Sequence, residues 1–376
     1  MTVVAEQRSS SRISTGRLGR PAVAVITQSP RGGGVAYIAR LLTQALGAAT
    51  GETPVVVSLD QIEASNVSAS RKLRFAGRLI THSALKRSDW IMFGHPGIAS
   101  AQQMVPRPTR LPYAIQLHGT DAWDRPPSRA VIDATLRIAP SRYTIERTQS
   151  TYPEIGSIEL CPHGLLPRPP LSGAPDFGLL SRVGPASVLI LGRVAASEGR
   201  KGHDQLLECW PTVLKSVPQA VFVIAGDGDD IDRLKQKARG LGIAERVVFC
   251  GYISDATREA LFGRSALFAM PSQQEGFGLV YLEAMRAGLP CIGALADGAT
   301  EPIVNGETGF LVPQTDREAL AHAVVTLLRD HDLRRRFGEA GRKRFDALYT
   351  FESYRERLLD LVSAHFMVGG PGAAFT

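Results

Sequence analysis

Apolar residues gather in short blocks along this chain, and between the blocks they recur at helical spacing. Ala22–Ile26, Val55–Ser58, Trp90–Phe93 and Tyr113–Leu117 read as buried strands, as do Ser187–Leu191, Ala220–Ala225, Val247–Tyr252 and Ala266–Met270. Helical periodicity predicts helices over Val35–Leu46, 66–87, Ile231–Leu241, Thr315–Arg329, Leu333–Tyr349 and Phe351–Phe366. Continuous apolar strands alternating with helices predict an α/β architecture. Residues 171–184 are rich in Pro, Gly and Ser and poor in charge, which predicts a linker between domains at 21–170 and 185–350. Residues 1–20 predict a disordered tail and 367–376 a frayed one.

Polar residues punctuate the strand ends. Arg31-Gly-Gly-Gly34 joins the first strand to a helix, where glycines admit a ligand close to the backbone and a helix terminus favours phosphate. The loop is not G-x-G-x-x-G, and no acidic residue caps the next strand, so a nicotinamide dinucleotide is not the expected ligand. His95 ends one strand, and His118 with Asp121 ends another. Asp121 could orient an imidazole or cap the next helix. Asp227-Gly-Asp229 spells D-x-D, which can hold a metal; a turn and a helix cap before Ile231 is the favoured reading, and no metal site is expected.

Composition narrows the classes. The 376 residues are 44% hydrophobic and 21% charged, as in globular proteins. No apolar run approaches the roughly 20 residues of a membrane span. Residues 1–20 are Ser/Arg-rich without an apolar core, which argues against a secretory signal, although an organelle transit peptide shares that composition. Cys161, Cys209, Cys250 and Cys291 stand apart with no C-x-x-C pair, so buried reduced thiols and a cytoplasmic location are expected. The net charge of +7 divides as +3 over 1–20, +6 over 21–170 and −2 over 171–376. The basic half suits an anionic partner. In 66–87, Arg71, Arg74 and Arg78 fall on one helical face and Leu73, Ala76 and Ile80 on another, a pattern fit for a membrane surface or for an ordinary solvated face. No nucleic-acid recognition motif accompanies the charge, and no nucleic acid is expected as partner.

The stretch Met270–Pro290 carries the densest chemistry. Pro271 and Ser272 stop a strand, Gly276-Phe-Gly278 makes a turn, and Leu279, Leu282 and Met285 start a helix that Gly288 and Pro290 end. Free amides of Phe277, Gly278 and Leu279 could hold an anion. Glu275 and Glu283 flank that spot with a span of at most roughly 12 Å along a helix. That is long for a glycosidase pair, which needs about 5–9.5 Å. It suits two hydroxyl-binding carboxylates at the ends of one ligand with a charged middle, the shape of a nucleotide sugar.

Glu275-Gly-Phe-Gly-Leu-Val, Glu283-Ala-Met and Gly288-Leu-Pro290 resemble the E-x7-E motif of retaining GT-B glycosyltransferases of family 4. Gly192-Arg193 followed by Lys201-Gly202 resembles the family's G-R…K-G pattern, with an inserted Ala195–Arg200 that leaves either Arg200 or Lys201 as the second cation. Leu136–Ser141 resembles its strand and Pro-Ser turn, and Ile158–Gly164 its P-N-G segment with His163 for Asn. Asp297–Pro313 resembles its closing stretch, with Gly298-Ala299-Thr300 where most members have Gly-Gly. The resemblance spans roughly 21–355. It implies two Rossmann-like α/β domains facing across a cleft, with 351–366 crossing back to the first. It implies transfer of a hexosyl group from a nucleoside-diphosphate sugar to an acceptor hydroxyl of a glycan, glycolipid or small molecule. Anomeric configuration would be retained without metal or added cofactor. Arg193, Lys201 and the amides of Gly276, Phe277 and Gly278 would bind diphosphate, Glu283 the ribose, Glu275 the sugar ring, and Tyr252 and Ile253 the base. Gly33 and Gly34 would lie between donor and acceptor, and His118 would position sugar and acceptor. The leaving phosphate, not Glu275, would act as base in a front-side path. Members with lipid-linked acceptors carry basic amphipathic surfaces, which implies peripheral contact through 66–87 at the inner membrane face. A nucleotide-sugar hydrolase or epimerase, or a non-catalytic nucleotide-sugar binder, are the alternatives.

Overall fold

The computed structural model describes residues 17–29, 32–60, 68–168, 170–171, 173–198 and 200–368. Its strands are β1 Arg17–Leu18, β2 Pro21–Val25, β3 Val55–Ser58, β4 Trp90–Phe93, β5 Tyr113–Gln116, β6 Leu136–Ala139 and β7 Glu159–Leu160. They continue as β8 Ser187–Leu191, β9 Val221–Ala225, β10 Val247–Gly251, β11 Leu267–Ala269, β12 Cys291–Ala294, β13 Gly309–Val312 and β14 Met367–Val368.

Two six-stranded sheets result, ordered β3-β2-β4-β5-β6-β7 and β10-β9-β8-β11-β12-β13. Every pair within them is parallel. Strand order reverses beside β2 in the first sheet and beside β8 in the second. At such switch points the carboxyl-end loops diverge and leave a crevice. The loops there are Gly32–Gly34 after β2, Gly94-His95 after β4, Gly192-Arg193 after β8 and Met270–Gly278 after β11. The α/β architecture expected from the alternation, and the two domains that the resemblance implies, are present.

Both faces of the first sheet are covered, which is why β2 is apolar throughout. Ala22 and Ala24 enter one core with Phe75, Leu79 and Phe93, whereas Val23 and Val25 enter another with Leu42 and Trp90. The second core also holds Tyr354, Leu358, Val362 and Phe366 of helix Phe351–Phe366, so the last helix lies on the first domain. Trp90 stacks on Phe366 with centroids 4.3 Å apart. The chain crosses between domains where Leu165 N donates to Tyr349 O at 2.9 Å. A Cβ on Gly164 would sit 2.5 Å from Thr350 O, so only glycine fits that crossing.

Several expectations need correction. Arg17–Leu18 pair antiparallel with Met367–Val368, so these parts of the two presumed tails are ordered. Two-residue strands carry no periodicity. Residues 1–16 and 369–376 lie outside the described residues. The linker contains helix Phe177–Leu180, and Leu180 and Val183 enter the second domain's core. The basic helix spans Ala69–Ala84 and buries Phe75, Ala76 and Leu79, whereas Leu73 is 64% exposed. Residues 66 and 67 lie outside the described residues.

Candidate functional site

A cavity of about 640 Å³ opens at the switch point of the second sheet and is closed on one side by Gly33 of the first domain. Leu191, Gly192, Arg193, Ala225, Gly226, Asp227, Tyr252, Ile253 and Arg258 complete its wall. Gly226 is required there: its φ is 138°, and a Cβ would meet Gly192 O at 1.8 Å. Across the cavity mouth, a Cβ on Gly33 would stand 3.4 Å from an Arg193 guanidinium nitrogen. Gly33 (φ 63°) begins helix Gly33–Thr50, so a helix N-terminus faces this cation across the cleft. Gly34 does not line the cavity; a Cβ there would meet nothing within 4 Å.

Tyr252 follows β10 and is 83% exposed at the rim, an aromatic face open for stacking. Ile253 packs beside it against the domain core. Glu283 lies on helix Leu279–Arg286 and reaches the wall through Arg258, whose Nη1 is 3.7 Å from its Oε1. Burial raises the Glu283 carboxyl above the usual range, against the lowering charges of Arg258 and Arg286. Arg258 carries no motif signature and was missed from the sequence. Its position in a helix at the sheet's carboxyl edge was the available signal.

Behind Gly192 stands the second cation. Gly202 adopts φ 102° at the N-cap of helix His203–Ser216, which turns Lys201 toward the cleft. Its Nζ lies 3.3 Å from Glu275 Oε2, while Arg200 is exposed. Asp297 is fully buried in the next loop, with Oδ1 accepting from Ala299 N at 2.7 Å and Oδ2 without a hydrogen-bond partner. Burial, with the Glu275 charge adding to it, pushes its carboxyl up to about 8. It is therefore protonated at neutral pH, which keeps Glu275 from facing a second anion.

The Glu275-Gly-Phe-Gly loop touches the first domain directly. Ser141 Oγ and Thr144 Oγ1 donate to Gly276 O at 2.7 and 3.1 Å. A Cβ on Gly276 would lie 1.7 Å from His118 O. Gly276 therefore serves as a contact between domains. Phe277 is buried, its ring 5.3 Å from that of His163 and 6.1 Å from Tyr349, so only its backbone remains for an anion. Gly278 holds φ 85° at the helix N-cap, where a Cβ would strike the Tyr281 ring.

His118 Nε2 is 2.7 Å from Gly94 O, which can only accept, so Nε2 carries the proton of that bond. Asp121 does not bond the His118 ring: its Oδ1 accepts from the backbone N–H of His118 and of Gly119, the N-cap of helix Thr120–Trp123, and its Oδ2 is 3.8 Å from His95 Nε2. The rings of His95 and His163 lie 5.5 and 6.3 Å from that of His118. Burial lowers His95 to about 4 and His163 well below the usual range, so both are neutral at pH 7.

The D-x-D carboxylates shape loops. Asp227 Oδ1 accepts from Gly228 N at 2.9 Å, and Asp229 Oδ1 accepts from Ala196 N at 2.8 Å, bracing the segment after Arg193. The cap is the part that differs, because Asp230 pairs with Arg233 at 2.7 Å instead of capping helix Ile231–Gly240. Among the described residues no group of three or more His, Cys, Asp or Glu is placed to hold a metal.

Residues 180–344 match the family model described as Glycosyl transferases group 1. A GDP-mannose-dependent alpha-(1-6)-phosphatidylinositol monomannoside mannosyltransferase of Mycolicibacterium smegmatis is 32% identical over 245 residues, 61% of this chain and 63% of that protein. A phosphatidyl-myo-inositol mannosyltransferase of Mycobacterium leprae is 38% identical over 172 residues, 46% of this chain and 44% of that protein. The chain thus spans under two thirds of the curated relatives it matches. Sucrose-phosphate synthase from Thermosynechococcus elongatus superposes with a TM-score of 0.72 at 19% identity, covering 92% of this chain and 98% of that one. Anabaena Alr3699/HepE in complex with UDP does so with 0.68 at 18% identity, covering 91% and 100%. The fold is GT-B. Every strand from β8 through β13 lies inside the matched segment, so Arg193, Lys201, Glu275 and Glu283 all belong to the part of this GT-B chain that carries the group 1 pattern.

Proposed function

We propose that the protein transfers a hexosyl group from a nucleoside-diphosphate sugar to an acceptor hydroxyl, with retention of anomeric configuration and without a metal ion. The observation that carries this is the cavity between Gly33 and Arg193, with Tyr252 and Arg258 on its wall and the Lys201–Glu275 pair beside it. A base stacks on Tyr252, the ribose meets Glu283, and the diphosphate lies between the Gly33 helix terminus, Arg193 and Lys201. These cations stabilise the charge that grows on the diphosphate as the glycosidic bond breaks. Glu275, oriented by Lys201, accepts from sugar hydroxyls. His118 Nδ1 accepts from a hydroxyl of the sugar or acceptor, and the leaving phosphate takes the acceptor's proton.

A lipid-linked acceptor is the favoured class. Two relatives are named for phosphatidylinositol-based acceptors. Helix Ala69–Ala84 exposes Arg71, Lys72, Leu73, Arg74 and Arg78, a basic surface with an apolar member suited to the inner face of an anionic bilayer. Among the described residues no helix is long and apolar enough to cross a membrane. Labelled UDP- and GDP-hexoses with and without lipid extract test the reading. Lipid-dependent product that survives EDTA supports it. Free sugar alone indicates hydrolysis, binding without turnover indicates a sensor, and EDTA inhibition returns Asp227 and Asp229 to a metal role.

A further inference from the structure

Arg258 belongs to no recognised sequence pattern, yet it sits on the wall of the cavity. Helix Asp255–Arg264 starts at Ser254, whose Oγ accepts from Thr257 N at 3.2 Å. That cap fixes Arg258 one turn in, beside Tyr252 and Ile253. Its Nη1 is 3.7 Å from Glu283 Oε1, close enough for charge attraction and too far for a hydrogen bond. Arg258 Nε and Glu283 Oε2 are both buried without a hydrogen-bond partner. Buried polar atoms are almost always satisfied, so an unpaired acceptor and an unpaired donor at one cavity wall point to a polar ligand.

The groups acting on Glu283 come from three elements. Arg258, Glu259 and Asp255 lie on one helix and Arg286 on its own, and Tyr37 interacts with it from the first domain. Burial raises its carboxyl, and Arg258 is the largest of the opposing influences. We infer that Arg258 is a positioning residue for donor binding, holding Glu283 as the carboxylate that accepts both hydroxyls of a vicinal diol. The inference rests on the nucleotide-sugar reading above. A carboxylate only accepts and can take two hydroxyl donors, whereas a protonated carboxyl offers an O–H and loses that match.

The test is calorimetric titration of UDP and GDP, each beside its 2′,3′-dideoxy analogue, from acid to alkaline pH. The proteins are wild type, Arg258→Met and Arg258→Lys. Wild-type affinity for the ribonucleotide falls toward acid pH as Glu283 protonates. In Arg258→Met the fall moves up by about one pH unit, a tenfold loss at fixed pH on that limb. Arg258→Lys stays near wild type, and the dideoxy ligands show only the limb that protonation of the diphosphate gives both kinds of ligand. An equal loss at every pH, or the same loss with the dideoxy ligands, overturns the inference. If Arg258→Met does not fold, acid limbs in wild type that are identical for ribo- and dideoxy-ligands overturn it equally. Failure of wild type to bind either nucleotide overturns the nucleotide reading itself, and this inference with it.

Discussion

Replacing Gly276 by alanine adds one methyl group at the point where the two domains meet. The three atoms nearest the new Cβ are His118 O at 1.7 Å, His118 C at 2.7 Å and Gly119 Cα at 2.9 Å. All three are backbone of the first domain, so no side-chain rotation relieves the clash. Reaching ordinary contact near 3.4 Å requires the loop and the first domain to separate by about 1.7 Å. That retreat breaks the bonds of Ser141 Oγ and Thr144 Oγ1 to Gly276 O, worth about 1 kcal/mol each. It also carries His118 away from Glu275. A displacement of about 1 Å in a reacting constellation costs roughly 100-fold in rate. Gly276→Ala is therefore expected to lower kcat by about 100-fold or more, equivalent to about 2.7 kcal/mol. UDP or GDP binding should fall far less than kcat, because Arg193, Lys201, Tyr252 and Arg258 all belong to the second domain and only the Gly33 helix terminus retreats with the first. Gly240→Ala is the control, since its Cβ would meet nothing within 4 Å. Initial-rate kinetics and calorimetric titration on the same preparations separate the effects. Wild-type kcat in Gly276→Ala, or a loss of nucleotide binding as large as the loss of rate, refutes the reasoning.

Glu275→Ala should abolish turnover while nucleoside-diphosphate binding survives; loss of that binding would contradict a role on the sugar side. Tyr252→Ala should weaken UDP or GDP binding by roughly 1–3 kcal/mol, the worth of one stacked base, and an unchanged Kd would remove Tyr252 from the base site. Asp297 binds its proton more tightly folded than unfolded, so its contribution is full below about pH 4 and is lost as pH rises toward about 8. The loss is at most roughly 1.4 kcal/mol per pH unit. Asp297→Asn removes that slope, so the variant should gain on wild type in urea unfolding between pH 5 and pH 8; parallel stability curves would show that Asp297 is not held protonated.

The alternation of apolar strands with helices made both sheets legible, because buried parallel strands leave near-continuous apolar runs such as Ala22–Ile26 and Ser187–Leu191. Glu275 and Glu283 were visible as carboxylates flanking a helix start, and Arg193 and Lys201 through their resemblance to a family pattern. Arg258 and Asp297 were not, since what singles them out is burial among particular neighbours and not a position in a pattern. Gly276 shows the same limit. Its lack of a side chain reads as a turn in sequence, whereas its backbone is the seat for Ser141, Thr144 and His118 from 130 or more residues away. The β1–β14 pair was hidden because two-residue strands at opposite chain ends have no period to detect.

The most direct measurement is the anomeric configuration of the product, read by NMR after incubation of an α-linked UDP- or GDP-hexose with the protein and a lipid acceptor extract. Nucleoside diphosphate released in step with an α-linked glycosylated lipid is the predicted result. A β-linked product would contradict retention, and release of free hexose with no transfer to any acceptor would contradict the transferase assignment.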